Sequence, residues 1–106
     1  MPEIPEEAIA RARRVKDRLL AYPWVQKVYL YGSFARGTYR GDSDLDLAVF
    51  VVQGHPCGLR EYTQVCRAAR GEVFDIQIQL FSSDELDDPC GIVEEITAFG
   101  VDITGL

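Results

Sequence analysis

Cysteine and histidine are scarce in this chain of 106 residues. It has three cysteines and one histidine, and the cysteines are odd in number and too far apart to form a C-x-x-C zinc or redox motif. We interpret them as ordinary core or loop residues. This cysteine usage suits a reducing compartment, so we expect a cytoplasmic protein.

Long apolar stretches are also lacking. The longest uncharged apolar run covers Leu47–Val52, whereas a transmembrane helix needs ~20 residues. The chain begins Met-Pro-Glu-Ile-Pro-Glu-Glu, which is the reverse of the basic start of a signal peptide. We therefore expect no membrane segment and no secretion.

Positive charge is sparse in the second part of the chain. Residues 1–40 contain eight Lys or Arg and four Asp or Glu, residues 41–106 contain three and thirteen, and the formal net charge is -6. An acidic chain of this kind is a poor binder of polyphosphate backbones by itself, so we expect no direct nucleic-acid binding. Metal ions would be needed wherever its carboxylates cluster beside phosphates.

The composition is otherwise that of one globular domain spanning residues 1–106. Apolar residues make up 47% and charged residues 26%, and a chain of this length buries one two-layer core. Periodicity, caps and turn residues predict helices over 5–22, 59–69 and 89–99, and strands over 25–31, 45–52, 73–81 and 101–104. This order predicts an α+β fold in which helices pack on one face of a small mixed sheet.

The third predicted strand has one polar face. Asp75, Gln77 and Gln79 alternate with apolar residues, so their side chains are expected on the side of the sheet opposite the core. That face is open to solvent or to a ligand.

Two aspartates stand at the beginning of the second predicted strand. Asp44 and Asp46 are two residues apart, which puts both side chains on one face. Asp75 is expected nearby because its strand is predicted to neighbour theirs. Three close carboxylates repel each other unless a cation with hard oxygen ligands, Mg²⁺ or Mn²⁺, compensates them. The pattern predicts two divalent ions about 4 Å apart that act on a phosphorylated substrate.

A glycine-serine pair lies between the first strand and these aspartates. Gly32 lets the backbone approach a phosphate without a Cβ in the way, and the amides after Ser33 open a short helical turn. The Ser33 hydroxyl can donate to a phosphate, and Arg36 or Arg40 can offset the charge of a triphosphate. We therefore predict that Gly32, Ser33 and Arg36 bind a nucleotide.

Three other interpretations of this segment compete with a metal site. An EF-hand loop that starts at Asp42 has Leu47 where glycine is needed and Gln53 where glutamate is needed. A phosphate-binding loop would need lysine where Thr38 stands. A solvated edge strand explains a lone Asp-x-Asp pair, but it does not explain the added Gly-Ser element and Asp75.

The Gly-Ser pair, ten further residues and the Asp-Leu-Asp triplet resemble the G-S-x10-D-x-D signature of the nucleotidyltransferase superfamily with the polymerase-β-like fold. The short chain is similar to its minimal nucleotidyltransferase branch over essentially its whole length. The resemblance implies that Asp44, Asp46 and Asp75 are the catalytic metal ligands, with Asp75 also as the base. It further implies that Gly32 and Ser33 hold the nucleoside triphosphate.

Small proteins of this branch are commonly paired with a helical HEPN protein as toxin and antitoxin, and some transfer AMP from ATP to a tyrosine of that partner. The resemblance therefore implies a Mg²⁺-dependent adenylyltransferase with a HEPN toxin as partner. Phe34 stands where arginine or another polar residue is common, which leaves open whether one triphosphate contact is lost or Arg36 takes it over. Two alternatives also stay open: a binding module that neutralises its partner without turnover, and transfer to a small molecule or an RNA end.

Overall fold

The described part of the chain contains four α-helices and a four-stranded sheet. The computed structural model describes residues 4–38, 44–71 and 76–106. The helices are α1 (Glu6–Leu19), α2 (Ser33–Arg36), α3 (Leu59–Ala68) and α4 (Ile92–Phe99), and a short 3-10 helix covers Ser83–Leu86. The strands are β1 (Val25–Tyr31), β2 (Leu45–Val51), β3 (Ile76–Ser82) and β4 (Val101–Asp102).

β2 lies inside the sheet, whose strand order is β3-β2-β1-β4. It runs antiparallel to β1, with Tyr31 opposite Asp46, and parallel to β3, with Leu45 opposite Ile76. The parallel pair is joined through α3, the kind of crossover connection that parallel strands require. This register brings the end of β1 and the beginnings of β2 and β3 together at one end of the sheet.

α1 and α3 cover one face of the sheet. α1 buries one helical stripe, and α3 contributes Val65 to the same core. The α1 stripe is Ala8, Ala12, Val15 and Leu19, and the sheet residues beneath are Val28, Leu30, Leu45, Leu47, Val49 and Val51. No helix in the three described ranges is both long enough and apolar enough to span a bilayer.

α4 covers the opposite face of the sheet. Its Val93 and Ile96 form a second core with Tyr31, Ala48 and Phe50. The predicted α+β class with a mixed sheet is confirmed, but the helices lie on both faces rather than on one. The reason is that β2 is apolar on both sides, so its second face also has to be covered.

Two helix limits differ from the predicted ones by three residues. α1 ends at Leu19 because the chain tightens before a proline, where the Tyr22 N–H donates to the Leu19 carbonyl three residues back. α4 begins at Ile92 rather than at Pro89. The residue before it, Gly91, has a φ of 60°, and this left-handed backbone lets the chain turn into the helix only there.

The lone histidine belongs to an aromatic stack. The His55 ring stacks on Trp24, which stacks on Tyr22, both with 5.3 Å between ring centroids. His55 Nε2 lies 3.2 Å from Glu61 Oε2, and the Gly58 N–H donates to Glu61 Oε1 at 3.1 Å. The histidine therefore ties the loop before α3 to the start of that helix.

We expect Glu61→Gln to lower the melting temperature at neutral pH. Desolvation acts to raise the pKa of the Glu61 carboxyl, but hydrogen bonds from the backbone of Glu61 and Gly58 and from His55 hold this pKa below its ordinary value of 4.5. A carboxylate whose pKa is lowered by folding stabilises the protein above its unfolded pKa, and this contribution disappears as the pH falls through the folded pKa. Thermal unfolding at several pH values checks this: the deficit of the variant should shrink below pH 4.5. Glu94→Gln, at an exposed position of α4, is the control, and a deficit that stays constant with pH would contradict the assignment.

Candidate active site

A glycine at the end of β1 closely approaches an aspartate of β2. Gly32 follows Tyr31 and has a φ of 77°. A Cβ placed on Gly32 would overlap Asp46 Oδ2 and would lie 3.0 Å from Asp46 Cγ. Glycine meets both the left-handed backbone and the close approach. The space that a side chain would fill at this position is thus occupied by a carboxylate of the predicted metal site.

Asp44 and Asp46 stand where β2 begins, and both are half-buried. Asp46 lies opposite Tyr31 of β1 and opposite Gln77 of β3. Burial and, secondly, the charge of Asp44 raise the pKa of Asp46. The side-chain amide of Gln77 donates to Asp44 Oδ2 at 3.3 Å. The structure therefore brings two mutually repelling carboxylates and an amide together at this end of the sheet.

Tyr31 also lies at this end of the sheet, and it was not predicted from the sequence. Its side chain is buried in the core beneath α4, and burial, the charge of Asp46 and the charge of Glu95 together raise its pKa to about 12. The phenol therefore stays protonated and can donate a hydrogen bond beside the carboxylates. The available signal was the antiparallel order of β1 and β2, which sets the residue before Gly32 opposite the Asp-Leu-Asp triplet.

Ser33 and Arg36 both lie on α2, immediately after Gly32. Ser33 begins the helix and is half-buried. Arg36 Nη1 lies 3.0 Å from Glu95 Oε1, and the guanidinium carbon lies 4.8 Å from the centre of the Phe99 ring. The arginine is thus engaged by α4, and a triphosphate would have to compete with a carboxylate for it.

The third predicted carboxylate, Asp75, lies outside the described residues, as do Arg40 and the other predicted strand positions before Ile76. Ile76 pairs with Leu45 in parallel register, which confirms that the third strand neighbours the second. The role of Asp75 itself stays a prediction. In the ranges that the structure does describe, no cluster of three or more metal-ligating side chains occurs.

The two described carboxylates fit a divalent cation. Burial and the neighbouring charge of Asp44 raise the pKa of Asp46. No described lysine or arginine lies within ion-pair distance of either group. A bound cation would relieve this repulsion, and carboxylate oxygens are ligands that Mg²⁺ and Mn²⁺ prefer. Magnesium typically takes one or two protein carboxylates and completes its sphere with water and substrate phosphates.

A mixed sheet with this strand order and with paired aspartates beside a Gly-Ser turn defines a nucleotidyltransferase domain. The chain belongs to the nucleotidyltransferase domain family, which it matches over residues 12–103. This range runs from the middle of α1 through β4, so it includes both described aspartates and the Gly-Ser turn.

Two solved structures share the fold. One is a protein from Sulfolobus solfataricus provisionally assigned as a nucleotidyltransferase, with a TM-score of 0.67 and 20% identity over 92% of this chain and 86% of that one. The other is a toxin-antitoxin structure with AMP-PNP, with a TM-score of 0.59 and 19% identity over 96% of this chain and 75% of that one. A comparison with curated proteins finds no match. The predicted nucleotidyltransferase fold is confirmed.

Proposed function

We propose that this domain transfers AMP from ATP, with Mg²⁺, to a tyrosine hydroxyl of a helical HEPN toxin and thereby acts as its antitoxin. The observation that carries the proposal is the close approach of Gly32 to Asp46, with Asp44 at the same end of the sheet. Membership of the nucleotidyltransferase domain family supports nucleotidyl transfer. The similar toxin-antitoxin structure with AMP-PNP supports ATP as the donor and a toxin as the partner.

Each site residue has a separate task in this proposal. Asp44, Asp46 and Asp75 would hold the metal, Gly32 keeps room for the Asp46 carboxylate, and Ser33 would donate its hydroxyl to a phosphate oxygen. Bound Mg²⁺ neutralises phosphate charge and lowers the pKa of the attacking hydroxyl. Asp75 would accept the proton of the acceptor hydroxyl. The oxygen of that hydroxyl would then bond to the α-phosphorus as pyrophosphate leaves.

The test is incubation of the domain with its HEPN partner, ATP and Mg²⁺, followed by intact-mass and fragmentation mass spectrometry of the partner. We expect the partner to gain one AMP on a tyrosine, and we expect EDTA to abolish the gain. A tight complex without any added mass would instead establish a binding module that does not turn over. AMP found only on RNA or a small molecule would also overturn the proposal.

We expect Arg36→Ala to raise the KM for ATP about tenfold, since a hydrogen bond to a charged group contributes ~1.5–3 kcal/mol. Glu95→Gln is expected to lower this KM several-fold, because it removes the carboxylate that competes for Arg36. Steady-state kinetics with varied ATP measures both, and Glu94→Gln on the same helix is the matched control. An unchanged KM in Arg36→Ala would assign the arginine to holding α4 alone.

A further inference from the structure

A second surface feature lies beside the paired aspartates and shares only Gln77 with the site described above. It is an open groove of about 550 Å³ between the start of α3 and β3. On the α3 side it is lined by Cys57, Gly58, Leu59 and Tyr62, and on the other side by Gln77–Leu80. Leu59 is 80% exposed and Tyr62 is 46% exposed, so the groove presents apolar surface to solvent.

One wall of the groove is the outer edge of the sheet. β3 is the terminal strand of the order β3-β2-β1-β4, and over the described ranges only β2 pairs with it. An edge strand of seven residues carries outward-facing N–H and C=O groups, and these can pair with the main chain of an added extended segment. The chemistry of this wall therefore matches a polypeptide in β conformation.

The far end of the groove is acidic. Glu61 Oε1 accepts from the N–H of Gly58 in the groove wall at 3.1 Å, and just past Leu80 the Ser82 N–H donates to Glu85 Oε2 at 3.0 Å and the Ser82 hydroxyl to Asp84. Desolvation, followed by the charges of Glu85, Glu61 and Asp84, raises the pKa of the exposed Cys57 thiol at this end. The charges of these three carboxylates reach the groove, and the chain beyond residue 40 carries thirteen acidic against three basic residues. A cationic segment complements this end electrostatically, whereas a nucleic acid does not.

One residue connects the near end of the groove with the paired aspartates. Gln77 lines the groove and also donates its side-chain amide to Asp44. From Gln77 to Leu80 there are three residue steps, or ~10 Å along a strand. A strand that is anchored at the acidic end can therefore place a residue about three positions away beside Gln77, the neighbour of Asp44. An odd spacing turns the two side chains to opposite faces of the sheet, as α3 and the aspartates require.

We propose that the β3 edge and this groove bind an extended cationic segment of the acceptor protein as an added strand, with its hydroxyl-bearing residue at the Gln77 end and a Lys or Arg about three positions away at the acidic end. The identity of the hydroxyl as the acceptor rests on the proposed function. The addition of a strand does not rest on it.

The binding test uses the full chain labelled with ¹⁵N, without nucleotide or metal, and seven-residue acetylated peptides. Each peptide has tyrosine at its second position, arginine at its fifth and valine or threonine between them. We expect amide shift changes concentrated in Ile76–Ser82 and around Leu59 and Tyr62. Peptides N-methylated at alternate residues form two series, and strand addition requires that one series binds and the other does not.

A pair of substitutions at Leu59 tests the charge preference with matched loss of apolar surface. Leu59→Lys is expected to weaken peptide binding at least tenfold, and Leu59→Glu is expected to keep or strengthen it. Equal affinities of the two variants, equal binding of both N-methylated series, or shifts away from β3 would overturn the proposal. So would dimerisation through the same residues, or displacement of the peptide by a single-stranded oligonucleotide.

The two proposals can fail separately. If the intact partner gains AMP while peptides do not bind β3, the docking surface is wrong and the proposed function stands. If peptides bind β3 but no AMP is transferred to any protein, the proposed function is wrong and the docking surface stands.

Discussion

Replacing Asp46 by asparagine is expected to reduce nucleotidyl transfer by ~10³-fold or more while leaving the metal-free domain folded. Loss of a metal-ligating carboxylate removes several kcal/mol of charge stabilisation in the transition state, and each 1.36 kcal/mol is about tenfold in rate. Asp46 is half-buried beside Asp44, and burial followed by that neighbouring charge raises its pKa. The ionised side chain therefore destabilises the metal-free fold.

The pH dependence of stability follows from the same raised pKa. Between the unfolded and the folded pKa of Asp46 the folded protein holds the proton and the unfolded chain does not, so wild-type stability falls as the pH rises through this window above 3.8. The variant lacks this loss and should be more stable than wild type at neutral pH by up to about 1 kcal/mol, the scale of repulsion between two half-exposed carboxylates. Thermal unfolding in EDTA measures this difference.

Asp88→Asn is the matched control for Asp46→Asn, because Asp88 is an exposed aspartate in the loop before α4. It should change neither transfer nor the response of stability to Mg²⁺. Added Mg²⁺ should raise the melting temperature of wild type more than that of Asp46→Asn. A metal-free variant that melts well below wild type, or one that retains most of its transfer activity, would show that Asp46 has a structural task instead.

Gly32→Ala is expected to abolish most activity and also to destabilise the fold. The φ of 77° alone costs an alanine ~1–2 kcal/mol. The new Cβ would also meet Asp46 Oδ2, with Asp46 Cγ at 3.0 Å and Asp46 Cβ at 3.2 Å, so rotating the carboxylate does not relieve the overlap. The whole side chain must move, and a shift of 1 Å in a catalytic group can cost ~10² in rate.

Gly54→Ala separates the two effects of Gly32→Ala. Gly54 has a φ of 88°, and a Cβ placed there meets no other atom within 4 Å. It should therefore show the backbone cost alone, ~1 kcal/mol, with unchanged transfer activity. Denaturant unfolding and transfer assays on both variants make the comparison. If Gly32→Ala is active, the close approach has no role in the site.

Local patterns predicted the central part of the fold well. β1 is predicted over the same residues that the structure shows, and the third strand is predicted to neighbour the second, as β3 does in the structure. The side chains of Asp44 and Asp46 could be predicted to share one face, because side chains alternate between the two faces of an extended chain and these residues are only two positions apart. Such inferences succeed where the cause lies within a few residues of the effect.

Features that depend on distant segments were not predicted. The face covered by α4 depends on β2 being apolar on both sides, which a continuous apolar run cannot distinguish from a strand in a one-sided sheet. Tyr31 enters the site only through the pairing of two strands. Arg36 is held by Glu95, more than fifty residues later in the chain. Phe34, which departs from the family pattern, is buried in the core on the α1 side, so its environment explains the apolar residue.

The position of β2 between β1 and β3 has a consequence for how the domain fluctuates. Ala48, Val49 and Phe50 are fully buried and lie within the ladders to both neighbouring strands, so their amide protons are set to exchange with solvent only when the whole molecule opens. Over the described ranges β3 is held by pairing on one side only, so its separation from β2 needs less free energy and leaves the pairing of Asp46 with Tyr31 intact. The domain thus combines a rigid inner strand, β2, which carries Asp46, with a more mobile outer strand, β3, which can adjust to an incoming chain.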